Sequence, residues 1–158
     1  DRSVGVGEAV CINLYIYPMA DVHTRAQRSY NMSMIKGKNT KPEMLVRRFL
    51  FANGYRYRLH AKNLPGKPDI ILPKYKTVIF VHGCFWHGHE GCKYYVVPKT
   101  KTDWWLSKIN SNIANDYKKK QALQALGWRG ITLWECELKP DRIGDTLLLL
   151  SGMINANG

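Results

Sequence analysis

The part of this 158-residue chain most able to do chemistry is a short segment in which two cysteines enclose two histidines. Residues 84–92 read Cys-Phe-Trp-His-Gly-His-Glu-Gly-Cys, and Cys136 follows a predicted strand further along. Thiolate and imidazole groups are the usual ligands of tetrahedral structural zinc. We therefore predict a closed, structural Zn²⁺ site formed by Cys84, His89, Cys92 and Cys136. Spacing alone leaves His87 open in place of His89, and reduced core cysteines beside a surface loop are the alternative.

A second group of polar side chains could hydrolyse a phosphodiester. Asp69 enters a predicted strand and Glu43 lies on the preceding helix. His82 and His87 follow the next predicted strand. Carboxylates bind Mg²⁺, which polarises a phosphate, and a neutral imidazole can take a proton from water. Each residue also has an ordinary structural explanation, such as a turn or a helix cap. Their combination on adjoining elements predicts a nuclease-type site.

Large aromatic side chains lie close to the cysteine–histidine segment. Phe85 and Trp86 are inside it, and Trp104 and Trp105 begin the next predicted helix. Flat side chains on a rigid, basic surface can wedge between base steps of a duplex. The alternative is that these rings complete the hydrophobic core.

The net charge of +12 indicates a polyanionic partner. More than half of the Lys and Arg residues, but only a quarter of the acidic ones, fall in residues 19–76. A basic segment there precedes the first long helix and includes Arg25, Arg28, Lys36 and Lys38. No apolar run reaches the roughly 18 residues of a membrane span. A core of this size needs no disulfides, so we expect a reducing, cytosolic protein.

The elements that must position these residues form a mixed sheet with packed helices. A capping box at Thr40 and Glu43 starts a helix that Gly54 ends, and Thr102-Asp103 can cap a long helix ending at Gly127. The remaining predictions are strands at 55–60, 68–72, 77–81 and 131–134, and a final helix at 145–154. The order predicts a single α/β (α+β) domain.

Several motifs resemble those of the very-short-patch repair (Vsr) endonucleases. The resemblance covers residues 19–140 and is carried by Leu64-Pro-Gly-Lys-Pro-Asp69, by Phe80-Val-His-Gly-Cys-Phe-Trp-His87 and by Trp134-Glu-Cys136. It implies a restriction-endonuclease-like fold. It also implies a Mg²⁺-dependent nick placed 5′ to the thymine of a T:G mismatch, the product of 5-methylcytosine deamination.

The resemblance also implies residue roles. Asp69 would bind Mg²⁺ directly with the backbone carbonyl of Val81, while Glu43 would act through a water on the metal. His87 would be the base that activates the attacking water, helped by Asp116, with His82 close to the reacting phosphate. Cys84, His89, Cys92 and Cys136 would hold Zn²⁺. The residues expected to enter the DNA grooves are Phe85, Trp86 and Trp105 from one side and Met32 from the other.

These inferences define the expected organisation and partners. Residues 1–18 would be an extension, 19–40 a basic DNA-contacting segment and 41–158 the Vsr-like domain. The expected partner is double-stranded DNA with a T:G mismatch, a MutL-type mismatch-repair protein is a further candidate, and no membrane is involved. We expect a monomer in the bacterial cytoplasm, at the nucleoid. The alternatives are a Vsr-like nuclease with a restriction or phage role, and a catalytically silent, zinc-stabilised DNA-binding module.

Overall fold

The computed structural model describes residues 24–35 and 37–156, which form four helices and a four-stranded sheet. The expectations for residues 1–23 and for Lys36 lie outside the described residues. The helices are α1 (Arg25–Ser33), α2 (Lys41–Ala52), α3 (Thr102–Ala125) and α4 (Ile143–Asn155). The strands are β1 (Arg58–Leu59), β2 (Ile70–Leu72), β3 (Thr77–His82) and β4 (Arg129–Trp134).

The sheet is mixed, and helices cover both of its faces. Its order is β1-β2-β3-β4, with β2 antiparallel to both of its neighbours, β1 and β3, and β4 parallel to β3. One face packs on α2 and α4 through Val46, Leu50, Leu150 and Ile154. The other face packs on α3 through Leu123. The predicted α+β class is therefore confirmed.

The start of α2 holds Glu43 in place. Thr40 caps the helix by accepting a hydrogen bond from the Glu43 backbone N–H at 3.4 Å. The reciprocal bond of the predicted capping box differs, because Glu43 Oε2 accepts from the backbone N–H of Asn39, at 3.0 Å, instead of that of Thr40. At the other end Gly54 has a φ of 79°, as the predicted C′ glycine requires. Glu43 is thus a buried carboxylate with a fixed direction.

The predicted strand at 55–60 is largely wrong, because only Arg58 and Leu59 pair with β2. The backbone N–H of Tyr55 is used to close the end of α2 through the carbonyl of Leu50, at 3.0 Å. Strand β2 has only three residues, so it offers no partner to the rest of the segment. The alternation of buried and exposed side chains is nevertheless present, with Tyr55 in the core and Arg56 in solvent.

Two further expectations about the helices need correction. Lys101, in the left-handed conformation, is the N-cap of α3, and the Thr102 hydroxyl donates to the carbonyls of Pro98 and Lys99 instead of capping the helix. The basic segment before α2 contains a helix, α1, which was not among the predicted elements. Helix α1 has its own capping box between Thr24 and Gln27 and buries none of its residues. No helix among the described residues is long and apolar enough to cross a membrane.

Candidate active site and cysteine–histidine cluster

Two carboxylates converge where β2 begins. Asp69 immediately precedes β2, and its Oδ2 accepts a hydrogen bond of 2.8 Å from the backbone N–H of Val81 in β3. Glu43 reaches the same region from α2, where its Oε1 lies 3.3 Å from Arg47 Nη1 and 3.2 Å from His60 Nε2. Ligand atoms of Glu43, His60 and Asp69 lie within 4.8 Å of one another. Carboxylate groups at this spacing could hold a divalent cation.

The electrostatics of Asp69 show the cost of this arrangement. Burial raises the pKa of its carboxyl group, the Val81 N–H opposes that shift, and the charge of Glu43 reinforces it. Positive charge on the His60 and His87 rings, when they are protonated, lowers the pKa of Asp69. Asp69 is half-buried and its Oδ2 accepts a backbone hydrogen bond, so a bound cation would offset the cost of burial and stabilise its ionised form.

The side chain of His87 is oriented by Asp116 on α3. Its Nδ1 lies 2.6 Å from Asp116 Oδ2, and Lys119 Nζ lies 3.7 Å from the other carboxylate oxygen. An ionised carboxylate can only accept, so Nδ1 carries the proton and Nε2 of the neutral ring is left as an acceptor. This arrangement suits a general base.

His82, the last residue of β3, packs against His87. The two imidazole rings are stacked, with centroids 3.8 Å apart and planes 4° apart. Burial, assisted by the charge of His87, lowers the pKa of His82 to about 3. His82 is therefore neutral at physiological pH and can donate or accept a hydrogen bond without adding charge.

A cavity of about 440 Å³ opens between α3 and the sheet beside this histidine pair. Its wall includes His82, His87, Asp116, Lys119, Lys120 and Trp134. The wall combines an oriented imidazole with two lysines, so it can accept an anionic group next to the candidate base.

The four residues expected to bind zinc are gathered in one cluster. Their ligand atoms lie within 4.8 Å of one another, and Cys136 Sγ lies 3.4 Å from His89 Nδ1. A tetrahedral zinc site with ordinary bond lengths has a sulfur–nitrogen edge of about 3.6 Å. His89, not His87, lies among the cysteines, and its ring stacks on Trp134 with centroids 4.1 Å apart. The donor set and its spacing fit a tetrahedral Zn²⁺.

Three aromatic rings pack edge to face beside this cluster. The ring centroids of Phe85, Trp86 and Trp105 are 5.2–5.8 Å apart. Phe85 is only 8% exposed, which differs from the expectation of a freely projecting wedge, whereas Trp86 and Trp105 are half-buried. Asn112 on α3 holds the loop by donating to the Trp86 carbonyl at 2.8 Å. Trp86, Trp105 and the exposed Trp104, which packs on Trp105 with ring centroids 4.7 Å apart, therefore form the accessible part of a supported aromatic surface.

Comparison with known proteins identifies the family. The profile described as DNA mismatch endonuclease Vsr matches residues 20–93. A type II nicking enzyme of Neisseria meningitidis serogroup A, V.NmeAIP, is 52% identical over 121 residues, which are 77% of this chain and 86% of that protein. The DNA mismatch endonuclease Vsr of Escherichia coli is 44% identical over 121 residues, 77% of each chain. This chain belongs to the Vsr family.

The type II nicking enzyme V.XorIIP of Xanthomonas oryzae is also similar, with 50% identity over 120 residues, which cover 76% of this chain and 88% of that protein. The Vsr profile spans Glu43, Asp69, His82 and His87, so both halves of the candidate active site fall inside the matched region. The residue Asp116 and the ligand candidate Cys136 follow it in the chain.

One residue of the carboxylate cluster was missed by the sequence reading of this Vsr protein. The sequence predicts His60 only as the end of a strand. In the structure its backbone N–H donates to the Asp69 carbonyl at 3.3 Å. The antiparallel pairing of Leu59 with Ile70 places His60 opposite Asp69. The available signal was a histidine at the end of the predicted strand 55–60, but the strand pairing that brings it to Asp69 is known only from the structure.

Gly88 lies between His87 of the candidate active site and His89 of the cysteine–histidine cluster. Its replacement by alanine should destabilise the protein. Its φ is 60°, and an added Cβ would lie 2.7 Å from Ile113 Cδ1 and 2.9 Å from Ile109 Cγ2. We expect Gly88→Ala to lower the free energy of unfolding by roughly 2–4 kcal/mol, measured by urea denaturation.

Gly91→Ala is the matched control for this prediction. Gly91 has a similarly positive φ, 72°, but nothing lies within 4 Å of its added Cβ. Its cost should be about 1 kcal/mol, the price of the backbone conformation alone. Equal losses in the two variants would show that the loop does not pack on α3 as described.

Proposed function

We propose that this protein is a DNA endonuclease that nicks one strand 5′ to the thymine of a T:G mismatch. The observation that carries the proposal is that the Glu43 and Asp69 carboxylates adjoin the Asp116-oriented His87. Asp69 accepts a hydrogen bond from Val81, and the next residue, His82, stacks on the His87 ring. Carboxylates beside an imidazole base form the minimal equipment for metal-assisted phosphodiester hydrolysis. Membership of the Vsr family supports DNA as the substrate.

Each active-site residue has a role in this proposal. Asp69 would hold Mg²⁺ together with the Val81 carbonyl, and Glu43 would act through a water on the metal. When bound, the metal supplies Lewis-acid polarisation of the phosphate and stabilises the leaving oxygen. His87 accepts a proton from the attacking water at Nε2 while Asp116 holds its Nδ1–H. His82, kept neutral, contacts the reacting phosphate from the adjacent position.

Zn²⁺ has a separate, structural role in the proposal. Cys84, His89, Cys92 and Cys136 satisfy a closed four-ligand site, which leaves no position for a substrate. Backbone and side-chain donors surround the sulfur atoms, since Tyr94 N lies 3.5 Å from Cys92 Sγ and Arg142 Nη1 lies 3.8 Å from Cys136 Sγ. Such donors stabilise thiolate ligands. The site joins the loop after β3 to the end of β4.

DNA binding combines charge with aromatic contacts in this proposal. The basic segment at 19–40 lies along the phosphate backbone, and Met32, which is 42% exposed on α1, enters one groove. Trp86 and Trp105 enter from the other groove, and the Phe85 ring packs against both of them. Residues 41–158 form the endonuclease domain, and residues 1–18 are an extension outside it.

The proposal extends to partners and setting. We propose that a monomer acts on chromosomal DNA in the bacterial cytoplasm and that a MutL-type repair protein is a partner. Sedimentation of the purified chain, alone and with such a protein, tests both statements. A stable dimer, or separate sedimentation of the two proteins, would contradict them.

A panel of end-labelled duplexes tests the function itself. T:G, T:A and C:G pairs are placed in the same position, with varied flanking bases and with or without Mg²⁺. The proposal predicts one nick, 5′ to the mismatched thymine, only with the metal. Cleavage of matched duplexes at the same rate, or no cleavage of any duplex, would contradict it.

Replacement of Trp86 by alanine should impair recognition of the mismatch more than binding to DNA in general. Stacking or wedging of one aromatic ring on bases contributes about 1–3 kcal/mol. We therefore expect the ratio of affinities for T:G and T:A duplexes to fall about tenfold, as measured by fluorescence anisotropy.

Trp128→Ala is the control for this prediction. Trp128 is also half-buried, but it precedes β4, at the opposite end of that strand from the active site. It should change the affinity ratio little. An equal loss of affinity for both duplexes in Trp86→Ala would contradict a role in recognition.

A second candidate function is nicking linked to a restriction–modification system. It is favoured by the similarity to two proteins named type II nicking enzymes, at 52% and 50% identity. The same duplex panel separates the candidates. A restriction-linked enzyme would nick without preference for T:G, whereas a mismatch enzyme would nick the T:G duplexes alone.

A further inference from the structure

His60 has a left-handed backbone conformation. It follows β1 with a φ of 48°, in a region that costs most non-glycine residues free energy but in which histidine, like asparagine, is enriched. The conformation is secured by the hydrogen bond from its N–H to the Asp69 carbonyl. This backbone conformation does not require an imidazole, so the function of the ring depends on its contacts.

The ring of His60 points into the carboxylate cluster. Its Nε2 lies 3.2 Å from Glu43 Oε1, and that nitrogen is buried. At this distance a protonated ring would form an ion pair, yet among the described residues Nε2 makes no hydrogen bond of acceptable geometry. A buried polar nitrogen without a hydrogen bond is costly unless another group satisfies it.

The charges around the cluster point to a cation as that group. Glu43 is 2% exposed. Among the described residues, its Oε1 lies within 4.0 Å of one permanent cation, Arg47, and of the His60 ring. Asp69 accepts one backbone hydrogen bond at Oδ2. The three side chains come from α2, from the residue after β1 and from the residue before β2. They therefore surround one point from three separate elements.

We infer that His60 is a nitrogen ligand of the active-site metal, beside Asp69 in the Glu43–His60–Asp69 group. The inference rests on the proposed function and deepens it by naming the class of ion. Mg²⁺ prefers oxygen ligands, whereas first-row transition dications also accept imidazole and bind mixed nitrogen–oxygen sites more tightly. The site should therefore prefer Mn²⁺ to Mg²⁺ by more than two carboxylates alone would.

The test uses the 158-residue chain, purified in the presence of zinc, and Mn²⁺ as a paramagnetic probe. Bound Mn²⁺ is counted from the loss of the free-ion EPR signal, with Mg²⁺ as competitor, and electron spin-echo modulation detects a directly bonded ¹⁴N. We expect ¹⁴N modulation in the wild type. His60→Gln should lose it, and its preference for Mn²⁺ over Mg²⁺ should fall about tenfold.

His87→Gln is the matched control, because it makes the same change on the neighbouring imidazole. It should keep the ¹⁴N modulation. If His60→Gln fails to fold, modulation in wild type that persists in both His87→Gln and His82→Gln still assigns the nitrogen to His60. Persistence of the signal in folded His60→Gln would overturn the inference.

The outcomes separate this inference from the proposed function. If Mn²⁺ binds without ¹⁴N modulation and is released by Asp69→Asn, the active-site metal stands and the role of His60 is wrong. If Mn²⁺ binding is undetectable, or is unaffected by Asp69→Asn, both the metal site and the role of His60 are wrong.

Discussion

Asp69→Asn is expected to reduce Mg²⁺-dependent nicking at least about 1,000-fold while leaving DNA affinity nearly unchanged. The substitution removes the charge that holds the metal, and a factor of this size corresponds to about 4 kcal/mol of transition-state stabilisation. Asparagine can still accept the hydrogen bond from the Val81 N–H at the position of Oδ2. The measurements are single-turnover nicking of a T:G duplex and fluorescence anisotropy without metal.

The stability of Asp69→Asn should be equal to or higher than that of the wild type in metal-free buffer. Burial raises the pKa of Asp69, so the folded protein disfavours its ionised form. The carboxylate therefore destabilises the fold at neutral pH, and a neutral isostere removes that penalty. A clear loss of thermal stability would mean that Asp69 is a structural residue, and any loss of nicking would then carry no information on the metal.

Asp145→Asn is the control for this experiment. Asp145 is an exposed carboxylate in the first turn of α4, so the same chemical change there should alter neither nicking nor stability appreciably. If Asp69→Asn nicked as fast as Asp145→Asn, the assignment of the active site would be wrong.

Cys84→Ser is expected to lose bound zinc and at least about 4 kcal/mol of stability, which is a fall of roughly 10 °C in Tm. Cys84 is buried, and burial raises the pKa of its thiol. Without a cation the buried sulfur stays protonated, while a bound metal deprotonates it and gains four bonds across two parts of the chain. The measurements are metal analysis by mass spectrometry and thermal denaturation.

Cys11→Ser provides the matched cysteine control. Cys11 lies outside the described residues and outside the predicted ligand set, so its replacement should leave zinc content unchanged. A strong chelator should lower the Tm of the wild type but not that of Cys84→Ser. A full equivalent of zinc in purified Cys84→Ser would contradict the predicted site.

Local sequence signals were sufficient for the elements that carry their own boundaries. The ends of α2 follow from Thr40, which caps the helix, and from Gly54, which has the required positive φ. The continuous apolar run in β3 predicts a strand buried on both faces, as observed. These features are set within a few residues of chain, so their physics is available without the fold.

The strand at β1 shows where local signals fail. Buried and exposed side chains alternate in this segment, as in a strand. The length of a strand also depends on its partner, however, and β2 is only three residues long. The predicted cap of α3 was wrong for a related reason. The Thr102 hydroxyl is used by the carbonyls of the preceding loop, a competition that a capping preference cannot reveal.

The chemical groups of this protein could be recognised before its fold was known. The cysteine–histidine segment, the paired carboxylates and the basic N-terminal half are matters of residue type and spacing, and the resemblance of several motifs pointed to the Vsr family. The division of the imidazoles needed the structure, which places His89 among the cysteines, His87 on Asp116 and His60 beside Glu43. The reason is that the direction of a side chain depends on strand register and on the helix packed against it, and both are set by contacts between distant parts of the chain.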